Sequence, residues 1–250
     1  MKITFNDTKT TIFCILMIGL VLVSSCSKEA KNTQPQKEKE IESGNSFLNL
    51  ALIYGSVTDI DGNKYATIKI GEQLWMAENL KTTKYNDGIS IPRLNYITDW
   101  SSATEGGWCN FDNKSENDVL YGKLYNWYAV NTGKLCPDGW HIPTDDEWNV
   151  LYYYIKEKVG AEVIGFHMKS AKGNWIYGGG SNSTGFSGLP AGLRNEAGTF
   201  IPSNSWWWSS SPTTTGKAWS RSLYYSSSGM DRPVGGNGRK NGFSCRCMQD

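Results

Sequence analysis

The stretch KLCPDGWHIPTDDEW, residues 134–148, places a histidine, two aspartates and a glutamate within seven positions. Residues 144–147 fit the capping-box pattern S/T-x-x-E, in which a hydroxyl and a carboxylate each bind a backbone amide at the beginning of a helix. Aspartates in the first turn also meet the positive end of the helix dipole. The pattern therefore predicts a helix start rather than a metal or catalytic cluster. Since Ile142 and Pro143 separate His141 from the cap, nothing in the spacing brings the imidazole toward these acids.

Two helices are predicted around this stretch, because apolar residues recur there at helical spacing. The first lies in DVLYGKLYNWYAVNTGKLCP, where glycine and proline end it at Gly133 and Pro137. Its apolar positions are Leu120, Leu124, Trp127 and Tyr128. The second follows the capping box and ends at Gly160. Its apolar face carries Trp148, Leu151, Tyr152 and Ile155.

Strands are predicted on both sides of these helices. YGSVTDIDGNKYATIKIGEQLWMAENL alternates β-forming residues around the turn DGN, which is a strong hairpin signal. Asp59, Asp61 and Asn63 are spaced like calcium ligands, but an EF-hand needs glycine at Lys64 and glutamate at Ile70, so we interpret them as a turn. The chain after residue 170 is rich in glycine, serine and asparagine, with short β-prone segments. Helices in the first half and strands at both ends predict an α+β domain.

The N-terminus predicts an exported, lipid-anchored protein. Lys2 and Lys9 precede the apolar run TIFCILMIGLVLV, a signal-peptide core, and VSSC at residues 23–26 resembles the lipobox of bacterial lipoproteins. The resemblance implies a signal peptide over residues 1–25 and acylation of Cys26, with palmitate among the lipid chains, holding the protein in the bacterial cell envelope at the outer membrane. Residues 26–46 are polar and charge-mixed, as in a flexible tether. The alternative is an ordinary cleaved signal with an incidental cysteine.

The balance of charge argues against nucleic-acid binding. The chain has 25 basic and 24 acidic side chains, and removal of residues 1–25 leaves 23 of each. A neutral domain has no general electrostatic attraction for nucleic acid. We therefore expect partners of other kinds, with the membrane reached only through the N-terminal lipid.

Four cysteines remain after Cys14 and Cys26 are set aside. An exported protein can form disulfides, and four cysteines allow three pairings. Their spacing contains no CxxC or CxxH pattern, so it does not suggest zinc. The four are Cys109, Cys136, Cys245 and Cys247.

Several long motifs give the chain a specific family resemblance. GNKYATIKIGEQLWMAENLKTTKYNDG, YGKLYNWYAVNTGKLCPDGWHIPTDDEW, GFSGLPAGLRN, WWWSSS and NGFSCRCM occur in this order. Together they resemble the Fibrobacter succinogenes major paralogous domain, over residues 47–250. IPTDDEW and GF..RC are more distantly similar to the sulfatase-modifying-factor domain. The resemblance implies a C-type-lectin-like core with two helices, a small twisted antiparallel sheet and long loops, and no activity that can be carried over.

The resemblance also implies a Cys136–Cys247 disulfide. A second bridge between Cys109 and Cys245 is a weaker expectation, and the alternative is that both are buried free thiols. The oxidase chemistry of formylglycine-generating enzymes is not expected, because residues 205–241 contain no cysteine. The sugar-binding motifs of calcium-dependent lectins, Glu-Pro-Asn and Trp-Asn-Asp, are also absent, so we expect no metal site and no cofactor.

Three functional classes remain. A non-catalytic binding module for glycan or protein is favoured, because the loop-rich half is rich in aromatic residues, whose flat faces suit sugars and interfaces. The best candidates for ligand contact are Trp175, Trp206 and Trp208, although alternation places Trp206 and Trp208 on one face of a strand opposite Trp207, with core positions for most of them. The alternative is a structural or assembly component of the envelope without a small ligand. An enzyme is less favoured, because two histidines limit acid–base chemistry.

Overall fold

The computed structural model describes residues 47–250. The predicted signal peptide, the tether and the acylated Cys26 lie outside the described residues. Within the described part, short helices and antiparallel sheets are interspersed, which confirms the α+β class. None of the helices in this part is long and apolar enough to cross a membrane.

The described chain contains eleven strands and five α-helices. The strands are β1 (Gly55–Thr58), β2 (Lys64–Ile70), β3 (Gln73–Met76), β4 (Trp108–Asn110), β5 (Lys123–Tyr125), β6 (Trp140–His141), β7 (Leu193–Arg194), β8 (Phe200–Ile201), β9 (Ser205–Pro212), β10 (Ala218–Leu223) and β11 (Met248–Gln249). The helices are α1 (Ile97–Ser102), α2 (Glu116–Tyr121), α3 (Trp127–Val130), α4 (Asp145–Val159) and α5 (Ile164–Met168).

The predicted hairpin is confirmed as β1 and β2, with Thr58 opposite Lys64. At its turn, the Asp59 carboxylate accepts hydrogen bonds from the backbone amides of Asp61 and Asn63, at 3.0 and 2.9 Å. The same carboxylate accepts a 2.5 Å hydrogen bond from the Tyr65 hydroxyl. Asp59 therefore organises the turn, as expected for an aspartate at the start of a tight loop.

A five-stranded antiparallel sheet, in the order β1-β2-β3-β11-β6, joins the two ends of the domain. Met248 of β11 lies opposite Trp75 of β3 on one side and opposite His141 of β6 on the other. The last strand therefore fills the gap between strands from the first half. Because β11 contributes only two residues, this junction depends on the side chains packed around it as well as on the ladder.

The prediction of one long helix around residues 120–128 is wrong. The chain forms α2, β5 and α3 in its place, with Gly122 at a φ of +70° separating the first two elements. Leu124 lies on β5 opposite Cys109 of β4, and Trp127 begins α3. The apolar residues at helical spacing reach the core from three short elements, so tertiary pairing overrides the local helical pattern.

The second predicted helix is confirmed as α4, including its capping box. The Thr144 hydroxyl accepts from the Glu147 amide at 3.2 Å, and the Glu147 carboxylate accepts from the Thr144 amide at 2.7 Å. Trp148, Leu151 and Ile155 are buried on one face of the helix. This face packs into a core cluster that also contains Trp75 and Trp207.

The three consecutive tryptophans of β9 divide between the two main core clusters. Trp206 and Trp208 lie in one cluster and Trp207 lies in the other. The predicted alternation along the strand is therefore confirmed. β9 pairs with β10 as a hairpin, so a single strand supplies large rings to both sides of the fold.

Candidate functional site

The three tryptophans predicted to contact a ligand are buried. Their exposed fractions are 4% for Trp175, 7% for Trp206 and 0% for Trp208. The indole N–H of Trp175 donates to the Gly188 carbonyl at 3.1 Å, and that of Trp208 donates to the Tyr125 carbonyl at 2.8 Å. Buried indoles with satisfied polar edges are core residues. We therefore correct the prediction, because these rings offer no surface on which a ligand could stack.

The Cys136–Cys247 disulfide is present in the structure. The second expected bridge is absent, because Cys109 and Cys245 are buried free thiols. They lie in different core clusters: Cys109 packs with Trp100 and Leu124, whereas Cys245 lies in the cluster of Trp206 and Trp208. Burial raises the pKa of Cys109 to about 12 and raises the pKa of Cys245 as well. Neither thiol is therefore a reactive site.

His141 lies between two carboxylates, contrary to the expectation from spacing. Its Nδ1 is 2.6 Å from Asp250 Oδ1, and its Nε2 is 3.0 Å from both carboxylate oxygens of Glu147. Partial burial lowers the pKa of His141, but the hydrogen bonds and charges of the two carboxylates outweigh it, so the pKa is raised overall. Since both ring nitrogens are occupied, the imidazole serves as a cross-link and not as a free base.

Asp145 is part of an ion-pair cluster and does more than complement the helix dipole. Its carboxylate accepts from Arg221 at 2.6 Å and from Arg232 at 2.7 Å. Arg232 in turn lies 3.5 Å from the centre of the Trp219 ring. Burial raises the pKa of Asp145, but the hydrogen bonds from Arg232 and Arg221 lower it more, so its pKa is lowered overall. The cluster connects the beginning of α4 to β10, and both carboxylate oxygens of Asp145 accept hydrogen bonds in it.

A surface groove of about 470 Å³ has a different character, because several of the polar side chains that line it make no hydrogen bond within residues 47–250. Three segments form it: the turn at residues 85–92, the segment 104–106, and α3 with the residues that follow. We call it the Tyr85–Tyr128 groove after its two aromatic side chains. Its lining consists of Tyr85, Ile89, Ser90, Pro92, Thr104, Glu105, Gly106, Tyr128, Asn131 and Thr132.

A buried asparagine, Asn126, fixes two of the three segments relative to each other. Its side-chain oxygen accepts from the backbone amides of Gly107 at 3.0 Å and Ala129 at 3.1 Å. Its side-chain amide donates to the Glu105 carbonyl at 2.8 Å. Asn126 is thus the N-cap of α3 and also the anchor of the segment that carries Glu105.

Tyr85 forms the third side of the groove. Its backbone amide donates to the Ile89 carbonyl at 2.9 Å, which closes the turn. Its hydroxyl lies so close to Gly106 that a Cβ on that glycine would be only 2.1 Å away. Burial and the negative charges of Asp87 and Glu105 raise the pKa of Tyr85, so the hydroxyl keeps its proton as a donor.

Several polar side chains of the groove make no hydrogen bond within residues 47–250, among them those of Tyr85, Glu105, Tyr128 and Asn131. Two half-buried rings beside a free carboxylate and a free amide suit a ligand that offers both a flat apolar face and hydroxyl groups. The described part of the chain holds no group of three or more acidic, histidine or cysteine side chains that could bind a metal ion.

No motif in the sequence indicates this groove. Tyr128 is predicted there as part of a helical apolar face, and Tyr85, Glu105 and Asn131 belong to no motif that carries chemistry. The available signal was Asn126, because asparagine is a favoured N-cap and would begin a new helix in the middle of the predicted one. This asparagine would have indicated the break in the predicted helix. It would not have indicated the other two segments of the groove, at residues 85–92 and 104–106.

The chain matches the model of a known protein family. The model of the Fibrobacter succinogenes major domain matches residues 68–249, which is most of the chain and nearly all of its described part. The matched region contains every residue of the groove. No curated protein and no solved structure matches the chain.

Proposed function

Because this chain belongs to the family of Fibrobacter succinogenes major domains, whose description names no activity, we propose a function from the site itself. The protein is an envelope-anchored lipoprotein whose domain is a non-catalytic binding module for glycan or protein. The observation that carries the proposal is the Tyr85–Tyr128 groove of about 470 Å³, which is lined by polar side chains without a hydrogen-bond partner in the described chain. A volume of this size is typical of ligand sites.

The groups around His141 and Asp145 support a non-catalytic role. Both ring nitrogens of His141 are bonded to carboxylates, and Asp145 is bonded to two arginines. Acid–base catalysis needs a group that can exchange a proton with a substrate. These two clusters hold elements together, whereas the free polar ends lie in the groove.

The proposal includes a C-type-lectin-like core. It is supported by β11, which returns to pair with β3 and joins the two ends of the domain in one sheet. The long loops between residues 171 and 247 are a second feature expected of a C-type-lectin-like domain. Superposition of an experimental structure on C-type-lectin-like domains tests this assignment, and a different order of strands in the sheet would contradict it.

The proposed anchor is a lipid on Cys26 in the outer membrane. It is supported by the VSSC sequence after an apolar segment. We expect metabolic labelling with palmitate to mark the wild-type protein, and Cys26→Ser to lose the label and leave the membrane fraction or remain unprocessed. Lipid-labelled Cys26→Ser in the membrane fraction would show that the anchor lies elsewhere.

A second candidate function is an assembly component without a small ligand. The exposed face of α4 favours it, because Val150 and Tyr153 there are 56% and 61% exposed. Apolar side chains grouped on an exposed helix are typical of protein contacts. A protein partner lost on Tyr153→Ala, with no ligand for the groove, would favour this function over the first.

A screen of glycans and purified envelope proteins tests the binding module. The full-length chain is used in a detergent without a sugar headgroup, since glycoside detergents would compete for a glycan site. The matched control is the Glu105→Gln/Tyr128→Ala variant, which changes only the groove. We expect a ligand that binds wild type and not the control; no ligand of either class for the wild-type chain would contradict the proposal.

A further inference from the structure

We infer that the Tyr85–Tyr128 groove binds a neutral oligosaccharide by direct contact. This inference rests on the proposed function and names the ligand class of the same site. It is built from four properties of the groove: its aromatic faces, its free hydrogen-bonding groups, its charge and the rigidity of its walls.

The aromatic faces favour a ligand with a flat apolar surface. Tyr85 and Tyr128 are both half-buried and both line the groove, so part of each side chain is open to it. A sugar ring presents a face of C–H groups that can pack on such a ring, while its hydroxyls point outward to polar groups. Tyr85 packs against the main core cluster, which holds its ring in place.

The free polar groups complement the hydroxyls of a sugar. A carboxylate accepts two or more hydrogen bonds and an amide both donates and accepts, so Glu105 and Asn131 together can bind neighbouring hydroxyls. The hydroxyls of Tyr85 and Tyr128 add two donors at the rings. In contrast, the Thr132 hydroxyl already donates to the Ala129 carbonyl at 2.8 Å and belongs to the fold.

The charge of the groove selects a neutral ligand over an anionic one. Glu105 is an exposed residue of the groove lining, and its carboxylate has no ion-pair partner in the described chain. No lysine or arginine is among the residues that line the groove, and Lys134, two residues after Thr132, is paired with Asp87 at 2.8 Å. A sulfated, phosphorylated or carboxylated ligand would therefore meet the Glu105 carboxylate without a cation in the lining, which is unfavourable.

The walls are fixed before a ligand arrives. Asn126, which is 1% exposed, bonds to the segment of Glu105 and to the first turn of α3 through three hydrogen bonds. The Tyr85 hydroxyl rests against Gly106, where any side chain would displace it. A preformed site loses little conformational entropy on binding. In this arrangement Tyr128 is the stacking residue and Glu105 the main acceptor.

Calorimetric titration of the full-length chain, in a detergent without a sugar headgroup, tests the inference. The neutral probes are the hexasaccharides of cellulose, xylan, mannan and laminarin, and the anionic probe is hexagalacturonate. We expect at least one neutral probe to bind, and binding to persist with EDTA. Glu105→Gln keeps the shape of the side chain and should weaken binding by about tenfold, since it removes a charge-assisted hydrogen bond.

Three further variants separate an effect on ligand contact from an effect on folding. Tyr128→Ala should weaken binding by about tenfold or more through lost stacking, whereas Tyr128→Phe should retain most of the affinity. Tyr153→Ala, at an exposed tyrosine of α4 outside the groove, should leave the affinity unchanged. An unchanged thermal midpoint for Glu105→Gln shows that its effect is not a loss of folding.

The outcomes distinguish this inference from the proposed function. Neutral probes that bind equally well to wild type and Glu105→Gln would overturn the groove as the glycan site and leave a binding module intact. Three results would overturn the assignment of a neutral oligosaccharide as the ligand. These are a protein ligand in the groove, tighter binding of hexagalacturonate than of the neutral probes, and no binding of any neutral probe. The absence of both glycan and protein ligands for the chain would overturn the proposed function as well.

Discussion

His141 joins three parts of the fold through one imidazole ring. It lies on β6, contacts the Glu147 carboxylate in the first turn of α4, and contacts Asp250 next to β11. Glu147 also accepts from the Thr144 amide, so one carboxylate both caps the helix and binds the histidine. Burial raises the pKa of Glu147, but the bonds from Thr144 and His141 lower it more, so its pKa falls below 4.5, its ordinary value.

These shifts predict how stability depends on pH. Because the folded pKa of His141 is raised above its ordinary 6.5, its stabilisation is complete below 6.5 and is lost as the pH rises through the folded value. Because the pKa of Glu147 is lowered from 4.5, its stabilisation is present above 4.5 and is lost as the pH falls. We therefore expect the difference in thermal midpoint between wild type and His141→Gln to be largest between these two values.

Thermal unfolding of both proteins across this range and into mildly alkaline solution checks the prediction. Asp250→Asn is the control, because it removes one partner of the imidazole and leaves the capping box intact. The thermal midpoint of Asp250→Asn should fall less than that of His141→Gln, and the fall should depend on pH in the same way. A difference between wild type and His141→Gln that stays constant from acidic to alkaline pH would show that the ring acts by packing alone.

At the scale of elements, local signals account for what could be predicted. The hairpin of β1 and β2 follows from DGN, and the start of α4 follows from its capping box, since both depend on residues that are close in sequence. The break between α2 and β5 depends on the pairing of β5 with β4, across residues 111–122, and on the backbone hydrogen bonds of Tyr125 with Phe243 near the end of the chain. Helical spacing does not reveal such a partner, and so the prediction failed there.

The groove could not be predicted either, because it too depends on contacts between separate segments of the chain. Tyr85, Glu105 and Tyr128 come from three segments about twenty residues apart, and no motif connects them. The alternation along the strand indicated core positions for most of the tryptophans but did not decide whether Trp175 and Trp208 are among them, because an aromatic residue in a loop-rich sequence fits a core as well as a surface. Only the tertiary contacts decide which tryptophans are covered and which tyrosines remain open.

Gly122 shows why the predicted helix breaks, and it gives a test. Its φ is +70°, and a Cβ would lie 2.8 Å from the Leu80 carbonyl oxygen and 2.9 Å from that of Asn79. Gly133 has nearly the same φ of +69° with nothing within 4 Å of a Cβ. The ψ of Gly122 is −166°, so its backbone lies in a region that essentially only glycine adopts. Gly122→Ala therefore adds this strain and a backbone clash to the cost of a positive φ, whereas Gly133→Ala has no such clash.

We expect Gly133→Ala to lower the free energy of unfolding by about 1 kcal/mol and Gly122→Ala to lower it by about 1–3 kcal/mol more. Urea unfolding monitored by tryptophan fluorescence measures both. Equal losses for the two variants would mean that the contact with the carbonyls of residues 79 and 80 does not hold Gly122 in place.

At the scale of the whole molecule, the fold is closed by the return of its last segment. β11 lies between β3 and β6, and Cys247 beside it is bonded to Cys136, which is 111 residues earlier. The intervening chain carries the loop-rich half, including β9 and its three buried tryptophans. The disulfide therefore closes one large loop at the point where the sheet is narrowest, because β11 has only two residues.

Loss of this bridge should destabilise the protein more than any single change discussed above. By the chain-entropy model, cross-linking a loop of this length contributes about 4–5 kcal/mol, so Cys136→Ala/Cys247→Ala should lower the free energy of unfolding by up to that amount. A reducing agent should destabilise wild type similarly and leave this variant unchanged. Peptide mapping without reduction should show one 136–247 linkage, with Cys109 and Cys245 alkylated only after unfolding, because both are buried. A 109–245 linkage, or a reducing agent without effect on wild type, would show that the two halves are held together in another way.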